Sequence, residues 1–307
     1  MSETTAQELS PKDWMEKANH AMVDFQRSYG CLVSRTKSGE YVAKATGFLA
    51  RIGSRNVLVT ALHVIQSQEF QAGQVHLLLP PAGITVDGTK YEFYSAAIDV
   101  GTPLWTSEAL DIAILDVPPL PEKADAKFID SASHEVCATK LRTSKHKHEM
   151  GLLAFGFPNW GHVTTGPNHA LAALPLPAFV ARLDKDAWEE GVTPPPQLVL
   201  QVEAKNEAEV PKGAQELATQ FRKMLDAQTV QASAPGSKVS PFGGYSGGPV
   251  ALLCPDGLFI VGVITDGGPI LEGAAHRMWA SPWDDVCASL RQSAPWAIES
   301  PEIPCTD

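Results

Sequence analysis

The chain has 307 residues, 44% of them hydrophobic and 19% charged, the composition of a globular protein long enough for two domains or one large one. Its formal net charge of −11 argues against general binding to nucleic acid or to an anionic membrane surface, which call for a basic footprint. No apolar run reaches the length of a transmembrane helix.

Met1 to Ser10 is polar and acidic, without a basic segment leading into an apolar one, so no secretory signal is expected. Ser10-Pro11 offers an N-cap with proline at the first helical position, and Trp14, Ala18, Ala21, Met22 and Phe25 recur at helical spacing. This predicts an amphipathic helix over residues 11–27 of an arm spanning 1–28, acting as a clasp on the body or as a docking arm for a partner.

Strand patterns follow at 29–35, 41–51, 56–61, 74–79, 92–99 and 111–117, separated by turn signals such as Lys37-Ser38-Gly39, Ile52-Gly53-Ser54 and Asp87-Gly88. They predict a six-stranded antiparallel β-barrel over residues 29–121, with His63 and Asp111 at its rim. Pro118-Pro119-Leu120-Pro121 marks the crossing to a second unit, 122–280. Its strands are expected near 135–141, 150–157, 178–183, 197–203, 249–254 and 258–265. The predicted fold class is therefore all-β, two six-stranded antiparallel barrels with helical additions.

Between these strands lie two features with bland readings. The run Arg142 to His148 mixes lysine with histidine, but the lysines would repel a metal ion and no aromatic platform accompanies them, so it reads as a solvated loop. An insertion at about 160–240 contains Pro194-Pro195-Pro196 and a helical pattern near 212–227 formed by Ala214, Leu217, Phe221, Met224 and Leu225. That helix is either a surface elaboration or a lid or partner-binding element controlling the cleft.

Next comes Gly244-Tyr245-Ser246-Gly247-Gly248-Pro249, which presents one serine among glycines. Val261 to Gly267 overlaps the last strand expected near 258–265. Ser281-Pro282 suggests a cap for a terminal helix with Trp283, Val286, Cys287 and Leu290 on one face, within a closing segment 281–307 whose end is a loose tail.

A serine hydroxyl is a weak nucleophile at neutral pH and needs an imidazole to take its proton, which in turn needs a carboxylate to fix its tautomer. His63, within Val59-Thr60-Ala61-Leu62-His63-Val64, and Asp111, within Leu110-Asp111-Ile112-Ala113-Ile114-Leu115, supply those groups. An esterase elbow would instead need an acid and a histidine after the serine, nominally Asp266 and His276, and a helix directly after it. Gly247-Gly248-Pro249 discourages such a helix.

In these motifs and their order, across about residues 30–290, the chain resembles the trypsin-like, or chymotrypsin-fold, serine peptidases. The 48 residues between His63 and Asp111 compare with about 45 in that family. The 135 from Asp111 to Ser246 exceed the family's roughly 93, hence the insertion. The resemblance implies His63 as general base, Asp111 as its orienter, Ser246 as nucleophile, and the N–H groups of Gly244 and Ser246 as the oxyanion hole. It also implies a substrate strand at Thr265, Asp266 and Gly267, and Ser240 at the base of the pocket for the side chain before the cut bond. Without an aspartate at Ser240, a small, aliphatic or aromatic side chain is expected there, although Asp266 could attract a basic residue.

Two departures bear on setting and activation. Val64 and Phe242 stand where secreted relatives carry disulfide cysteines, and the five cysteines are odd in number and scattered, which points to a reducing, cytoplasmic compartment. Tyr245 stands where zymogens carry the aspartate that pairs with a newly released N-terminus. The site is then either preformed or ordered by an activating protein partner. The expectation is a serine endopeptidase with a protein or peptide substrate and no metal or cofactor. A peptidase fold kept for peptide binding or scaffolding is the competing reading.

Overall fold

A computed structural model describes residues 25–35, 41–71, 74–79, 96–120, 126–130, 151–157, 162–165, 170–173, 176–180, 182–183, 198–201, 243–254, 257–267 and 277–297, with Asp13, Glu16, His20 and Pro-rich-boundary residue Ala124 described singly. The chain is mostly β. In order the strands are β1 (Tyr29–Arg35), β2 (Tyr41–Ile52), β3 (Arg55–Ala61), β4 (Gln74–Leu79), β5 (Ala96–Asp99), β6 (Pro103–Ser107), β7 (Ile112–Asp116) and β8 (Ile129–Asp130). They continue as β9 (Gly151–Gly156), β10 (His162–Thr165), β11 (Ala170–Ala173), β12 (Leu176–Val180), β13 (Arg182–Leu183), β14 (Leu198–Gln201), β15 (Pro249–Cys254), β16 (Gly257–Gly267) and β17 (Arg277–Pro282).

The first sheet is antiparallel and curled, in the order β5-β4-β1-β2-β3-β7-β6, with β8 added parallel to β2. The second runs β12-β9-β15-β16-β17-β14-β13, and β10 pairs with β11. Side chains alternate across a strand, so each strand of the first sheet sends every other residue to one of two cores. Leu32, Leu49, Leu58, Leu77 and Leu115 pack together on one face. Cys31, Phe48, Val57, Val59 and Ile114 point the other way, into a core shared with Phe155 and Ile260 of the second sheet and with Trp283 and Leu290 of the terminal helix Trp283–Ser293. Burial on both faces is why Val57-Leu58-Val59 is a continuous apolar run rather than an alternating one.

Aromatic rings join the start of the first sheet to the second. Phe25, ahead of β1, lies 4.7 Å from the Phe155 ring, and Tyr29 lies 5.4 Å from Phe155 and 5.6 Å from Phe157. Phe48 packs on Trp283 at 5.8 Å. On the far side the Trp105 indole donates to the Ser293 hydroxyl at 2.8 Å, tying β6 to the terminal helix.

Most expected strands are present within a residue or two. The strand expected at 178–183 is two, β12 and β13, at opposite ends of the second sheet, and two strands that were not expected, β6 and β17, are present. β6 begins at Pro103, which an edge strand tolerates because one side of its backbone makes no ladder, and its pairing with β7 slips between Pro103 and Trp105. β17 was expected only as a capping turn, but Ser281 lies inside this strand and its hydroxyl donates to the Leu110 carbonyl instead of capping a helix. The terminal helix is capped at Pro282 without a side-chain bond. Most of the expected 11–27 helix, the 135–141 strand, the 142–148 run and the 212–227 helix lie outside the described residues. Asp13, Glu16 and His20 are helical and exposed. Among the described residues no helix is long and apolar enough to cross a membrane.

Phe48 is 0% exposed and bridges the first sheet to the terminal helix. Phe48→Ala should therefore cost about 3–5 kcal/mol through lost burial and the cavity left behind. Denaturant unfolding measures it; a loss below about 1 kcal/mol would show that this contact does not hold the helix.

Candidate functional site

His63 sits in a five-residue helix, Leu62–Gln66, that continues directly from β3. A helix this short is not stable alone, and its first N–H groups have no intrahelical acceptors. Its own N-cap residue, Ala61, makes no side-chain cap bond. Asp111, at the turn before β7, satisfies them instead. Its carbonyl accepts the Leu62 N–H at 2.9 Å, and its Oδ1 accepts the His63 N–H at 2.9 Å.

The second carboxylate oxygen meets the imidazole: Asp111 Oδ2 lies 2.6 Å from His63 Nδ1. An ionised carboxylate only accepts, so the proton of this bond sits on Nδ1. The neutral ring therefore leaves Nε2 unprotonated, as a base requires. Asp111 has φ +52°, a left-handed conformation that aspartate tolerates better than most residues. The turn that imposes it is held by Asp111 N–H to Glu108 O at 3.2 Å and by Leu110 N–H to Ser107 Oγ at 3.3 Å.

His63 is 49% exposed and Asp111 29%, so the pair opens to solvent on one side. The hydrogen bond from Asp111 raises the His63 pKa most. The negative charges of Asp111 and Asp266 raise it further, and partial burial opposes them. The net shift is upward from the ordinary value of about 6.5.

Ser246 lies in a tight turn in which the Gly248 N–H donates to the Tyr245 carbonyl at 2.8 Å. Gly247, third in that turn, has φ +86° while Ser246 stays at negative φ, the pattern of a type II turn, which demands glycine at that place. Space demands it as well. A Cβ on Gly247 would overlap the Thr60 hydroxyl, the Thr46 carbonyl and the Ala61 nitrogen. The residue after Ser246 is thus wedged against the end of β3, two residues before His63. Further bonds fix the loop: Gly247 N–H to Ile264 O at 2.7 Å, Ile264 N–H to Gly248 O at 2.8 Å, and Thr46 N–H to Ser246 O at 2.9 Å.

Gly244 has φ +96°. Among the described residues no carbonyl accepts the N–H of Gly244 or of Ser246. Strand β15, not a helix, follows the serine, which removes the elbow geometry of the esterase reading. On β16, Thr265 is buried with its hydroxyl donating to Trp279 O at 3.3 Å, whereas Asp266 is exposed and its Oδ1 accepts the Gly267 N–H at 2.7 Å. Neighbours on a strand point to opposite faces, and the pairing with β17 shifts register between Ile264 and Asp266. Ser240 lies outside the described residues.

Sequence reasoning missed Thr46. This residue of β2 is 0% exposed, and its hydroxyl donates to Gly244 O at 2.7 Å and accepts the Phe157 N–H at 3.0 Å. Its carbonyl accepts the Thr60 hydroxyl at 2.8 Å. The available signal was a polar β-branched residue inside an apolar strand, Ala45-Thr46-Gly47-Phe48. Among the described residues no three histidines, cysteines or acidic groups gather as a metal site. No family model matches the chain, and no curated protein matches it.

Since the Asp266 charge helps to raise the His63 pKa, Asp266→Asn should lower it while leaving the Asp111 hydrogen bond in place. An NMR titration of the imidazole in both proteins tests this. An unchanged midpoint would mean that solvent screens the charge completely.

Proposed function

We propose that this protein is a serine endopeptidase that cleaves a peptide bond through an acyl-enzyme intermediate. The observation that carries the reading is the two-oxygen grip of Asp111 on His63, which puts the ring proton on Nδ1 and leaves Nε2 as the base. In this reading the two sheets, each with more strands than the six expected of a barrel, form the two lobes on either side of the substrate cleft.

Ser246 Oγ attacks the substrate carbonyl carbon while His63 Nε2 takes the hydroxyl proton. The carbonyl electrons move to oxygen, and the N–H groups of Gly244 and Ser246 receive the negative charge. Collapse of this intermediate breaks the C–N bond, and the imidazolium returns its proton to the leaving amine. Water then attacks the acyl-serine by the same steps in reverse order of partners, freeing the carboxylic acid and Ser246. Asp111 stays ionised throughout and stabilises the imidazolium. Thr265 to Gly267 on β16 line the cleft as a strand for an extended protein or peptide substrate, and Ser240 is assigned to the pocket for the side chain before the cut bond.

Support for the reading includes the two proposed oxyanion N–H groups, which no carbonyl among the described residues accepts, and the strand that follows Ser246. The missing cysteines at disulfide positions favour a cytoplasmic setting.

Ser246→Ala should abolish peptide hydrolysis and labelling by a fluorophosphonate while the unfolding transition stays where it was. Labelling in wild type that persists in the variant would sink the assignment of Ser246, and a folded wild type that is never labelled would favour a peptide-binding role. Because His63 must be neutral to act as base, kcat/KM should rise as pH increases through its elevated pKa, placing the acid limb above about pH 6.5. A limb well below that value would exclude this imidazole as the base.

A further inference from the structure

The serine-hydrolase reading leaves open what holds the Ser246 loop in shape, and β2 supplies an answer. We infer that Thr46 is a positioning residue whose buried hydroxyl, bridging Gly244 O and the Phe157 N–H, keeps the Ser246 loop ready for catalysis without an activating partner. The inference rests on that reading for its catalytic consequence and on hydrogen-bond geometry for the rest.

A hydroxyl has one proton to give. That of Thr46 goes to Gly244 O at 2.7 Å, and its oxygen accepts the Phe157 N–H at 3.0 Å, so the rotor has a single orientation. The backbone of Thr46 adds a third tie to the same loop, its N–H donating to Ser246 O at 2.9 Å. Loop residues on either side of Tyr245 are thus both anchored to one residue of the other sheet. The Gly244 carbonyl lies in the peptide that follows Gly244, so its bond to Thr46 restrains one side of the residue whose N–H, in the preceding Gly243-Gly244 peptide, is the first proposed oxyanion donor. Turning the Gly244-Tyr245 peptide over would strip a buried hydroxyl of its acceptor and place a carbonyl where none is satisfied, which is costly in a dry site.

Beneath the loop, Tyr245 is buried against Gly156, where a Cβ would collide with its ring, and it also neighbours Tyr29. Burial pushes its phenol pKa up, so it stays neutral. Thr46 on β2 gives the loop a polar anchor beside this ring. Thr60 completes the arrangement by donating to Thr46 O at 2.8 Å, which links the anchor to the strand that leads into His63.

The test uses the full-length purified protein, alone, with a fluorophosphonate and a peptide substrate. Wild type should be labelled at Ser246 without any added protein. Thr46→Val, which keeps the shape and removes the hydroxyl, should slow labelling and lower kcat by roughly 10- to 100-fold with KM little changed, less than the loss of a whole oxyanion donor. Thr46→Ser should restore most of the rate, which a purely packing role for the threonine methyl would not allow. Amide hydrogen exchange across residues 244–248 should quicken in Thr46→Val and not in Thr46→Ser. If Thr46→Val does not fold, Thr46→Ala carries the same expectations.

Wild-type labelling and exchange in Thr46→Val would overturn the inference, as would a wild type labelled only after a second protein is added. A wild type that is never labelled, but whose loop exchanges faster in Thr46→Val, would remove the hydrolase reading while leaving Thr46 as the anchor of the loop.

Discussion

The Ser246-Gly247 segment belongs to the second sheet by sequence and to the first by contact. Gly247 lies so close to Thr46, Thr60 and Ala61 that no side chain fits there. Its N–H is held by Ile264 from β16 on the opposite side. The same few atoms thus register two sheets against each other, with Gly247 against Ala61, the residue two before His63. Much of the rest of the contact between the sheets is apolar packing, which tolerates repacking as long as volume is kept. At Gly247 the clearance admits only a hydrogen atom.

Asp111 concentrates several duties in one residue. Its carbonyl and one carboxylate oxygen end the helix that carries His63, and its other oxygen sets the imidazole tautomer. A left-handed backbone at a non-glycine residue costs of order 1–3 kcal/mol, and it persists because neighbouring bonds over-determine the turn. Ser281 contributes from the second sheet by donating to the carbonyl of Leu110, the residue before it. The His63 pair is therefore braced from both sheets, as is the Ser246 loop. Relative motion of the sheets would disturb both halves of the proposed site together.

The shared core explains how strands can hold such a site with little help from long helices. Phe25, Tyr29, Phe155 and Phe157 form one ring cluster across the sheets, and Phe48 with Trp283 forms another contact beside the terminal helix.

His63, Asp111, Ser246 and most strand positions were legible because their signals are local: turn glycines, alternating or doubly buried apolar runs, and motifs whose chemistry needs those residue types. The edge strand at Pro103–Ser107 and the place of Ser281 within β17 were not legible, since pairing partners far along the chain decide whether a proline or a serine can sit in a ladder. Thr46 was hidden for the same reason. A threonine in an apolar strand looks alike whether its hydroxyl bonds its own strand or Gly244, 198 residues away. Sequence by itself determined which groups could perform the chemistry, because residue type sets donor, acceptor and backbone freedom. Only tertiary structure decided that Asp111 caps the His63 helix, that Asp266 reaches His63 with its charge and that Thr46 anchors the serine loop, because each depends on distances that folding alone brings within hydrogen-bond or Coulomb range.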